Sequence, residues 1–244
     1  MTSSIVIFNF AFIKENVAMQ ESIRIRQILQ LCQPETVIAD IGADHGYTSA
    51  ALLEAGLAEK VIATDISEHS LKKAKSLFAE KRFGIRAECR IGDGINVLRP
   101  GEAQGIIISG MGGHLILRIL RACPETVQQC KWLVISPQSN VDIVRRELQN
   151  MQLRIIWEDV VWEDKKYYSL LKLQPGKPES YTEAELYTGK ENLMVDRKRF
   201  LHHMQYLAQR QEQILQKASS SRNAATIAEL LEIYRSAGEK GERT

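Results

Sequence analysis

The sequence feature that most constrains the fold is a regular alternation of short apolar runs with longer amphipathic stretches between residues 20 and 173. The apolar runs have the length of buried strands, and the amphipathic stretches have the apolar spacing of helices. This alternation is typical of βαβ units, whose strands form a parallel sheet. The predicted strands are residues 36–41, 60–64, 85–91, 105–109, 132–136, 153–162 and 167–173. The predicted helices are residues 24–31, 47–55, 68–81, 114–122 and 141–151.

The last two predicted strands follow each other directly, because only the polar residues 163–166 separate them. They are therefore expected to form a hairpin and to run antiparallel. Five β-α repeats that end in a hairpin are the layout of a seven-stranded, Rossmann-like methyltransferase sheet, in which the last strand is antiparallel. The Rossmann sheets of dehydrogenases lack that terminal hairpin. The sequence thus predicts an α/β protein with a seven-stranded, Rossmann-like methyltransferase sheet.

The residues after the sheet predict a second, helical unit. Residues 174–180 bring Pro and Gly close together, which indicates a linker. Residues 219–221 are three consecutive serines that break the following helical stretch, and residues 227–234 resume it, so we expect a helical hairpin. Before that break, apolar residues recur at intervals of seven and predict a coiled-coil-like seam, which consists of Leu193, Phe200, Leu207 and Ile214.

These features divide the chain into an N-terminal extension of residues 1–19, an α/β domain of residues 20–174 and a helical hairpin domain of residues 181–244. The apolar stretch 5–13 is shorter than the ~20 residues that a membrane-spanning helix needs. No basic residue precedes it, as a signal peptide would require. We therefore expect no membrane association, and Met19 is the expected start of the folded protein.

The charge and cysteine content exclude several function classes. The chain holds 32 Lys and Arg against 30 Asp and Glu, a net charge of +2, so no overall field identifies a polyanionic partner. Residues 190–244 hold 10 Lys and Arg against 7 Asp and Glu, which makes the tail the more basic part. The four cysteines have no C-x-x-C spacing and no histidine cluster beside them. We expect reduced thiols in a cytoplasmic protein, without a metal site.

The first predicted strand ends in a turn that is suited to a ligand. Gly42 and Gly46 allow the backbone to approach a ligand closely, and the next helix offers free N–H groups. A dinucleotide site would carry glycine where Asp44 stands, because a carboxylate repels a pyrophosphate. A cationic ligand such as S-adenosylmethionine is compatible with Asp44. The alternative interpretation is a turn or helix cap without a ligand.

Acidic residues also follow the second and third predicted strands. Asp65 stands where a carboxylate can accept both hydroxyls of a ribose. Asp93 stands where a carboxylate can accept the amino group of adenine. Each of them could equally be a cap, but carboxylates at three successive strand ends, Asp40 included, favour a nucleoside site at that edge of the sheet.

The fourth predicted strand ends in a glycine-rich segment, residues 109–113. Its glycines keep one wall of the predicted pocket thin, so that a flat group such as a nucleobase can approach a methyl donor. The chain lacks the Asn/Asp-Pro-Pro-Tyr arrangement that holds an exocyclic amino group. Methylation of another nucleophile is therefore favoured over methylation of an exocyclic amine.

Four segments together resemble a known family. They are residues 39–47 (ADIGADHGY), 108–114 (ISGMGGH), 135–148 (ISPQSNVDIVRREL) and 166–168 (KYY). They are similar to the TrmK family, bacterial tRNA adenine-N1 methyltransferases that act at tRNA position 22. The resemblance covers residues 22–234, since that family also has a helical, coiled-coil-like C-terminal domain. Ser136, Gln138 and His114 depart from the family pattern on the side of the substrate.

The resemblance implies an S-adenosylmethionine-dependent enzyme that methylates N1 of an adenine in tRNA, working as a monomer or a weak dimer. The residues expected at the methyl acceptor are Asp44, Met111 and Gly112. The residues expected to bind the cofactor are Arg24, Asp40, Gly42, His45, Gly46, Asp65, Ile66, Asp93, Gly94, Ser109 and Gly110. The residues expected to bind tRNA phosphates are Arg197, Lys198, Arg199 and Arg210.

Three alternatives remain at this point. A methyltransferase of another RNA or of a small molecule would share the cofactor site. A cofactor-binding protein without catalysis would use the tail for assembly. The basic run of the tail has its own alternative, a solvated helix face that binds no RNA.

Overall fold

The structure is a computed structural model that describes residues 22–217 and 223–240. The predicted extension 1–19, with Met19, and the predicted break at residues 219–221 lie outside the described residues. The strands are β1 (Glu35–Ile41), β2 (Ala58–Asp65), β3 (Ala87–Ile91), β4 (Gly105–Met111), β5 (Trp132–Pro137), β6 (Leu153–Glu163) and β7 (Lys166–Pro175). The helices are α1 (Ile23–Leu31), α2 (Tyr47–Glu54), α3 (Glu68–Glu80), α4 (Gly113–Ala122), α5 (Pro124–Gln129), α6 (Val141–Asn150), α7 (Glu183–Thr188), α8 (Arg197–Lys217) and α9 (Ala224–Lys240).

Within these residues, seven strands form one sheet in the order β3-β2-β1-β4-β5-β7-β6. The strands β1 to β5 pair in parallel, and β7 is antiparallel to both β5 and β6. This confirms the predicted methyltransferase sheet. The carboxyl ends of β1 to β6, together with the turn between β6 and β7, lie at one side of the sheet, which we call the carboxyl edge.

Helices cover both faces of the central strands, which explains why those strands are continuously apolar. In β4, Ile106, Ile107 and Ile108 are all fully buried although their side chains alternate between the faces. One core cluster lies between the sheet and α4 and α6, and a second lies between the sheet and α1, α2 and α3. The sheet is therefore held rigidly from both sides, and its carboxyl edge remains accessible.

The structure corrects several predicted boundaries. Residues Gly84–Arg86 form a 3₁₀ turn, so β3 begins only at Ala87. β7 continues to Pro175, so the first two residues of the predicted linker 174–180 belong to this strand. The helices α5 and α7 were not predicted. The signal for α7 was present, because Thr182 and Glu185 form a capping box with reciprocal hydrogen bonds.

The turn of the β6–β7 hairpin has an unusual backbone conformation at its two central residues. Asp164 and Lys165 both have positive φ angles, 49° and 63°, as a two-residue turn between twisted strands requires. Glu163 and Lys166 face each other across it. The hairpin therefore ends at the carboxyl edge, with Trp162 and Tyr167 as the next cross-strand pair.

Two buried ion pairs fasten the tail to β6. Glu158 and Asp159 are consecutive, so their side chains point to opposite faces of the strand. Glu158 Oε2 accepts from Arg145 Nη2 of α6 at 2.7 Å, and Arg145 Nη1 also donates to the carbonyl of Leu186 in α7 at 2.8 Å. Asp159 Oδ2 accepts from Arg199 Nη2 of α8 at 2.6 Å. The helical tail is thus docked against the edge strand on both of its faces.

The predicted seam of the tail packs partly against other residues of the same chain. Phe200 and Met204 of α8 are buried, and α9 packs along α8 and buries Leu231. Ile214, further along the seam, is 41% exposed. In the described part of the chain, no helix combines the length and the apolar character needed to cross a bilayer.

Candidate active site at the carboxyl edge

The turn between β1 and α2 is held by β2 and lies against β4. Gly42 N and Ala43 N donate to the carbonyl oxygen of Thr64 at 2.8 and 2.9 Å. Gly42 has a φ of +70°, and a β carbon there would overlap Cε of Met111. Glycine is therefore favoured by the backbone conformation, and the flexible end of Met111 occupies the space that its missing side chain leaves. The end of β4 and the turn after β1 thus form two neighbouring walls.

Asp65 occupies the gap between this turn and α3. Its Oδ2 accepts from Asp44 N at 3.1 Å, and its Oδ1 accepts from Ser67 N at 2.8 Å. These two backbone donors fix the orientation of the carboxylate, and each oxygen keeps a lone pair for a further donor. The next residue, Ile66, is 71% exposed and offers an apolar surface beside the carboxylate. The combination suits a ribose with an attached base.

Asp44 and His45 form an exposed polar chain at the rim of the turn. Asp44 Oδ2 lies 2.6 Å from His45 Nδ1, and His45 Nε2 lies 3.0 Å from Lys73 Nζ. The His45 ring stacks on Tyr47 with a centroid distance of 5.7 Å. Asp44 has a positive φ of 48°, which places its side chain outward, and that side chain is 64% exposed. A carboxylate thus stands open to solvent beside the glycine turn.

Asp40 and Gly46 lie behind the turn, which differs from the contact positions expected for them. Asp40 is 2% exposed and accepts from Ser49 Oγ of α2 at 2.7 Å. Its burial raises its pKa to about 6, and the bond from Ser49 opposes this rise. Gly46 faces α3, where a β carbon would lie 2.9 Å from the Phe78 ring. Both residues therefore position the turn from below.

Asp93 follows β3 beside Asp65, since Gly92 N donates to the carbonyl of Asp65 at 3.0 Å, whereas Arg24 lies with the hairpin. Asp93, after β3, is exposed and lies 3.3 Å from Arg118 Nη2, and the adjoining Gly94 has a φ of +71°. Arg24 lies over the ring of Tyr168 at 4.6 Å, at the hairpin end of the carboxyl edge. The structure thus brings together Gly42, Asp44 and Asp65 with Met111, and it places Arg24 with the hairpin.

The glycine-rich end of β4 forms the open wall. A bulge relative to β5 lies between Ser109 and Met111, and Gly110 there has a φ of +78°. A β carbon at Gly110 would meet only the amide nitrogen of Gln138, at 4.0 Å. Gly112 caps α4, and Gly113 approaches the carbonyl of Ser139 too closely for a side chain. The wall at Gly110 is therefore open, with the amide of Gln138 beside it.

Gln138 is a further candidate for a site residue. In the sequence it stood out only as a departure from the family pattern. Its backbone N–H donates to the carbonyl of Met111 at 2.9 Å, which fixes it next to the wall. Its side-chain amide offers both a donor and an acceptor, as recognition of a nucleobase requires. Of the other two departures, Ser136 is fully buried and His114 is exposed on α4.

A cavity of about 190 Å³ extends from Gln138 toward the tail. Tyr167 of the hairpin and His203 of α8 line it, with their ring centroids 4.6 Å apart. Burial, with a smaller contribution from the nearby Arg145, lowers the pKa of His203 to about 3, so this imidazole is neutral. The remaining lining residues are Pro137, Val141, Asp142, Arg145, Ser169, Tyr187, Leu207 and Tyr234. No local sequence signal marks this cavity, because its parts come from six separate elements.

The four basic residues expected to bind tRNA differ in availability. Arg199 is bound to Asp159, and its Nη1 donates to Gln27 Oε1 at 3.2 Å, so it anchors α8 to the α/β domain. Arg197 lies 2.9 Å from Glu191. Lys198 and Arg210 are exposed on α8. The expectation that Arg199 faces RNA phosphates is therefore corrected, because a buried carboxylate holds it.

Metal and thiol chemistry have no visible basis in the described residues. Among residues 22–217 and 223–240, no group of three or more His, Cys, Asp or Glu could hold a metal ion. All four cysteines are free, and Cys32 and Cys130 are buried. Burial raises the pKa of Cys130 to about 12, which keeps it a thiol.

Comparison with known proteins identifies the family. Residues 21–171, more than half of the chain, match the family described as "Methyltransferase domain". A tRNA (adenine(22)-N(1))-methyltransferase of Bacillus subtilis is 29% identical over 216 residues, which cover 85% of this chain and 91% of that protein. The crystal structure of B. subtilis TrmK matches with a TM-score of 0.75 at 25% identity, covering 90% of this chain and 99% of that one.

A second solved structure shares the fold. M. capricolum TrmK, in complex with its cofactor product S-adenosyl-homocysteine, matches with a TM-score of 0.77 at 21% identity and covers 91% of this chain and 99% of that one. These matches span the helical tail as well as the sheet. The chain therefore belongs to the methyltransferase-domain family and, within it, to the TrmK family.

Proposed function

We propose that the protein transfers a methyl group from S-adenosylmethionine to N1 of adenine 22 in tRNA. The observation that carries this proposal is the pairing of a fixed carboxylate, Asp65, with the open wall at Gly110 on one edge of a TrmK-family fold. The first feature suits the nucleoside part of the cofactor. The second leaves room for a flat acceptor base.

The residues at the turn after β1 fit the proposed cofactor. Asp65 has free lone pairs for the ribose hydroxyls, and the exposed Ile66 can lie against the adenine ring. Gly42 has no side chain, and Met111 of the β4 wall packs against it. The carboxylate of Asp44 stands beside them and favours a cationic ligand. We retain His45, Ser109, Gly110, Asp93 and Gly94 as proposed members of the site, and Asp40 and Gly46 as its support.

The chemistry asked of the chain is positioning and charge stabilisation. S-adenosylmethionine supplies a methyl group on a positively charged sulfur when it is bound. Because N1 of adenine already carries a lone pair, the chain does not need to provide a general base. It must hold the base turned out of its stack, which costs a few kcal/mol, and align N1 for in-line attack. Positive charge then develops on the base, and we assign its stabilisation to Asp44.

The helical tail is proposed as the part that holds the rest of the tRNA. We propose that residues 181–244 form a domain of their own, docked on the α/β domain of residues 20–174 through Arg145 and Arg199. Lys198, Arg210 and the exposed side of Arg197 would then neutralise phosphates. Since α9 already covers the buried part of the seam, we propose a monomer or weak dimer in the cytoplasm, where tRNA is found.

The test is methylation of tRNA followed by mass spectrometry of its nucleosides. Incubation with S-adenosylmethionine should yield 1-methyladenosine, and a tRNA with guanine in place of adenine 22 should yield none. Methylation of a different nucleoside would indicate another RNA target. Cofactor binding without methylation of any tRNA would contradict the proposed function and favour a binding protein.

A further inference from the structure

A second cavity of about 290 Å³ lies beside the first one at the hairpin end of the carboxyl edge. It is lined by Trp162, Tyr167, Arg199, His202 and Tyr206. Tyr167 lines both cavities and separates them. The proposed reaction does not use this second cavity, and we call it the aromatic cavity.

Three rings of the aromatic cavity hold one another in place. The centroid of Trp162 lies 4.8 Å from that of Tyr167 and 5.4 Å from that of Tyr206. Tyr167 and Tyr206 lie 5.2 Å apart. These are favourable tilted and edge-to-face contacts, which restrict each ring to one orientation. Even so, Trp162 is 45% exposed, so a large part of a rigid indole faces solvent.

The aromatic cavity lies within reach of a nucleotide next to the acceptor base. Trp162 and Tyr167 form the second cross-strand pair from the hairpin turn, next to the pair of Glu163 and Lys166. In the sheet, β7 is two strands and β6 is three strands away from β4. With neighbouring strands about 4.8 Å apart, β7 lies roughly 10 Å and β6 roughly 14 Å from β4 across the sheet, and the hairpin also extends beyond the Gly110 wall along the strand direction. A short piece of single strand spans that distance.

The charges around the aromatic cavity suit a nucleotide. Arg199 faces the cavity, but Asp159 and Asp196 already hold its guanidinium, at 2.6 and 3.4 Å. His202 of α8 lines the cavity, and the side chains of Lys165 and Lys166 at the hairpin turn are exposed, with the acidic Asp164 beside them. A lysine at the turn can pair with a phosphate while the stacked aromatic platform holds the base of the same nucleotide.

We propose that Trp162 is a stacking platform for an unpaired nucleotide of the substrate tRNA that neighbours the methylated adenine. The inference rests on the proposed function, because it takes the acceptor to be a tRNA. Sequence-specific and shape-specific RNA proteins commonly hold extruded bases against aromatic rings in this way. The platform holds the strand while the acceptor base enters the first cavity. Trp162 is therefore a positioning residue.

The test compares two tryptophans of the same strand. Trp157→Ala is the matched control, because Trp157 is also in β6 and is 37% exposed but lies outside the aromatic cavity. Trp162→Ala should raise the Kd for tRNA roughly 5- to 150-fold, the range expected for losing one base–aromatic stack. Trp157→Ala should leave it unchanged, and Trp162→Phe should restore most of it. The Kd for S-adenosylmethionine should be unaffected in all three variants.

A tRNA with an abasic site on either side of adenine 22 identifies the stacked nucleotide. The abasic site that removes the stack should weaken binding to the wild-type protein and add nothing to the effect of Trp162→Ala. Equal Kd values for Trp162→Ala and Trp157→Ala, or fully additive losses at both abasic sites, would overturn the proposal.

Fluorescence provides a measurement that does not depend on the folding of Trp162→Ala. Binding of tRNA should quench the fluorescence of a Trp157→Phe variant, and the quenching should be absent from Trp162→Phe. Quenching that persists in Trp162→Phe would also overturn the stacking. Because these measurements report binding, they remain decisive if the wild-type protein methylates no tRNA, a result that would count against the proposed function alone.

Discussion

The two halves of the carboxyl edge are built in different ways. The half that we propose to bind the cofactor, called the cofactor half, consists of the turns after β1 and β2, and its residues Gly42, Asp44 and Asp65 lie within 24 positions of the chain. Backbone hydrogen bonds to Thr64, Asp44 and Ser67 fix it. The half that we propose to bind the substrate, called the substrate half, consists of the wall at Gly110, the hairpin and the tail. Its residues Gln138, Tyr167 and His203 come from separate elements.

The difference shows where each half is vulnerable. The cofactor half depends on local turns, so a single side chain can be removed while its neighbours stay in place. The substrate half depends on the docking of the tail against β6. The pair of Asp159 with Arg199 holds α8, and Arg145, which is paired with Glu158, holds α7. Damage to that docking should therefore disturb the protein as a whole, whereas damage to a strand-end carboxylate should affect one ligand.

The largest expected effect is on stability, from Glu158→Gln. The change leaves the charge of Arg145 buried without a partner, and the loss of such a pair costs about 3–5 kcal/mol. Denaturation with urea should show that loss in the free energy of unfolding. The control is Glu183→Gln, whose pair with Arg146 is exposed on both sides, and it should change stability little. Equal losses in both variants would mean that the docking does not depend on the buried pair.

The next effect concerns catalysis at the boundary of the two halves. Asp44→Asn keeps the shape of the side chain and an acceptor for His45, but it removes the negative charge. If Asp44 stabilises the charge that develops on the base, turnover should fall by about one to three orders of magnitude. Steady-state kinetics measure turnover and calorimetric titration measures the affinity for S-adenosylmethionine. Together they separate charge stabilisation from cofactor binding. A matching loss of S-adenosylmethionine affinity would move Asp44 into the cofactor half.

Asp65→Ala should affect the cofactor half alone. It removes the carboxylate proposed to bind the ribose, so the affinity for S-adenosylmethionine should weaken by about 2–3 kcal/mol, as for charge-assisted hydrogen bonds. Calorimetry measures this affinity. The control is Glu68→Ala, which removes an exposed acid three residues later in the chain. The Kd for tRNA should stay the same. Unchanged cofactor affinity would refute the assignment of Asp65.

The smallest effect is expected from the exposed cations of the tail. Replacing Lys198 and Arg210 by Ala should make the slope of log affinity for tRNA against log salt shallower by up to about 2, one unit per lost phosphate contact. The control is Lys131→Ala at the amino end of β5, which should leave the slope as it is. A wild-type slope in the double variant would mean that these side chains form a solvated helix face.

Most of the fold could be predicted from the sequence because its signals are local. Each buried strand is a continuous apolar run between turn residues, and β4 with Ile106, Ile107 and Ile108 is an example. The hairpin was predictable from its polar turn, which contains Asp164 and Lys165. The helix α7 was missed because it has only six residues, too few to show a period, although its capping box was present.

The sequence predicted the positions of the strand-end acids better than the rest of the proposed site. In a parallel sheet the carboxyl ends of neighbouring strands meet, so the placement of Asp65 beside Asp44 follows from the strand order alone. The direction of the Asp40 side chain could not be predicted, because the sequence does not show which side of the strand end a carboxylate faces. The structure turns it toward Ser49 and away from the edge.

By itself, the sequence determined the order of the elements, the sheet class and the acids at the strand ends, since each depends on residues close together in the chain. Only the tertiary structure decided which cations are available and where the second half of the site lies. Arg199 and Lys198 are adjacent in sequence, yet one is bound to a buried carboxylate and the other is exposed. The physical reason is that exposure and pairing depend on partners far away in the chain. Here these partners are Asp159 and Gln27, which the packing of α8 across the edge strand brings to Arg199.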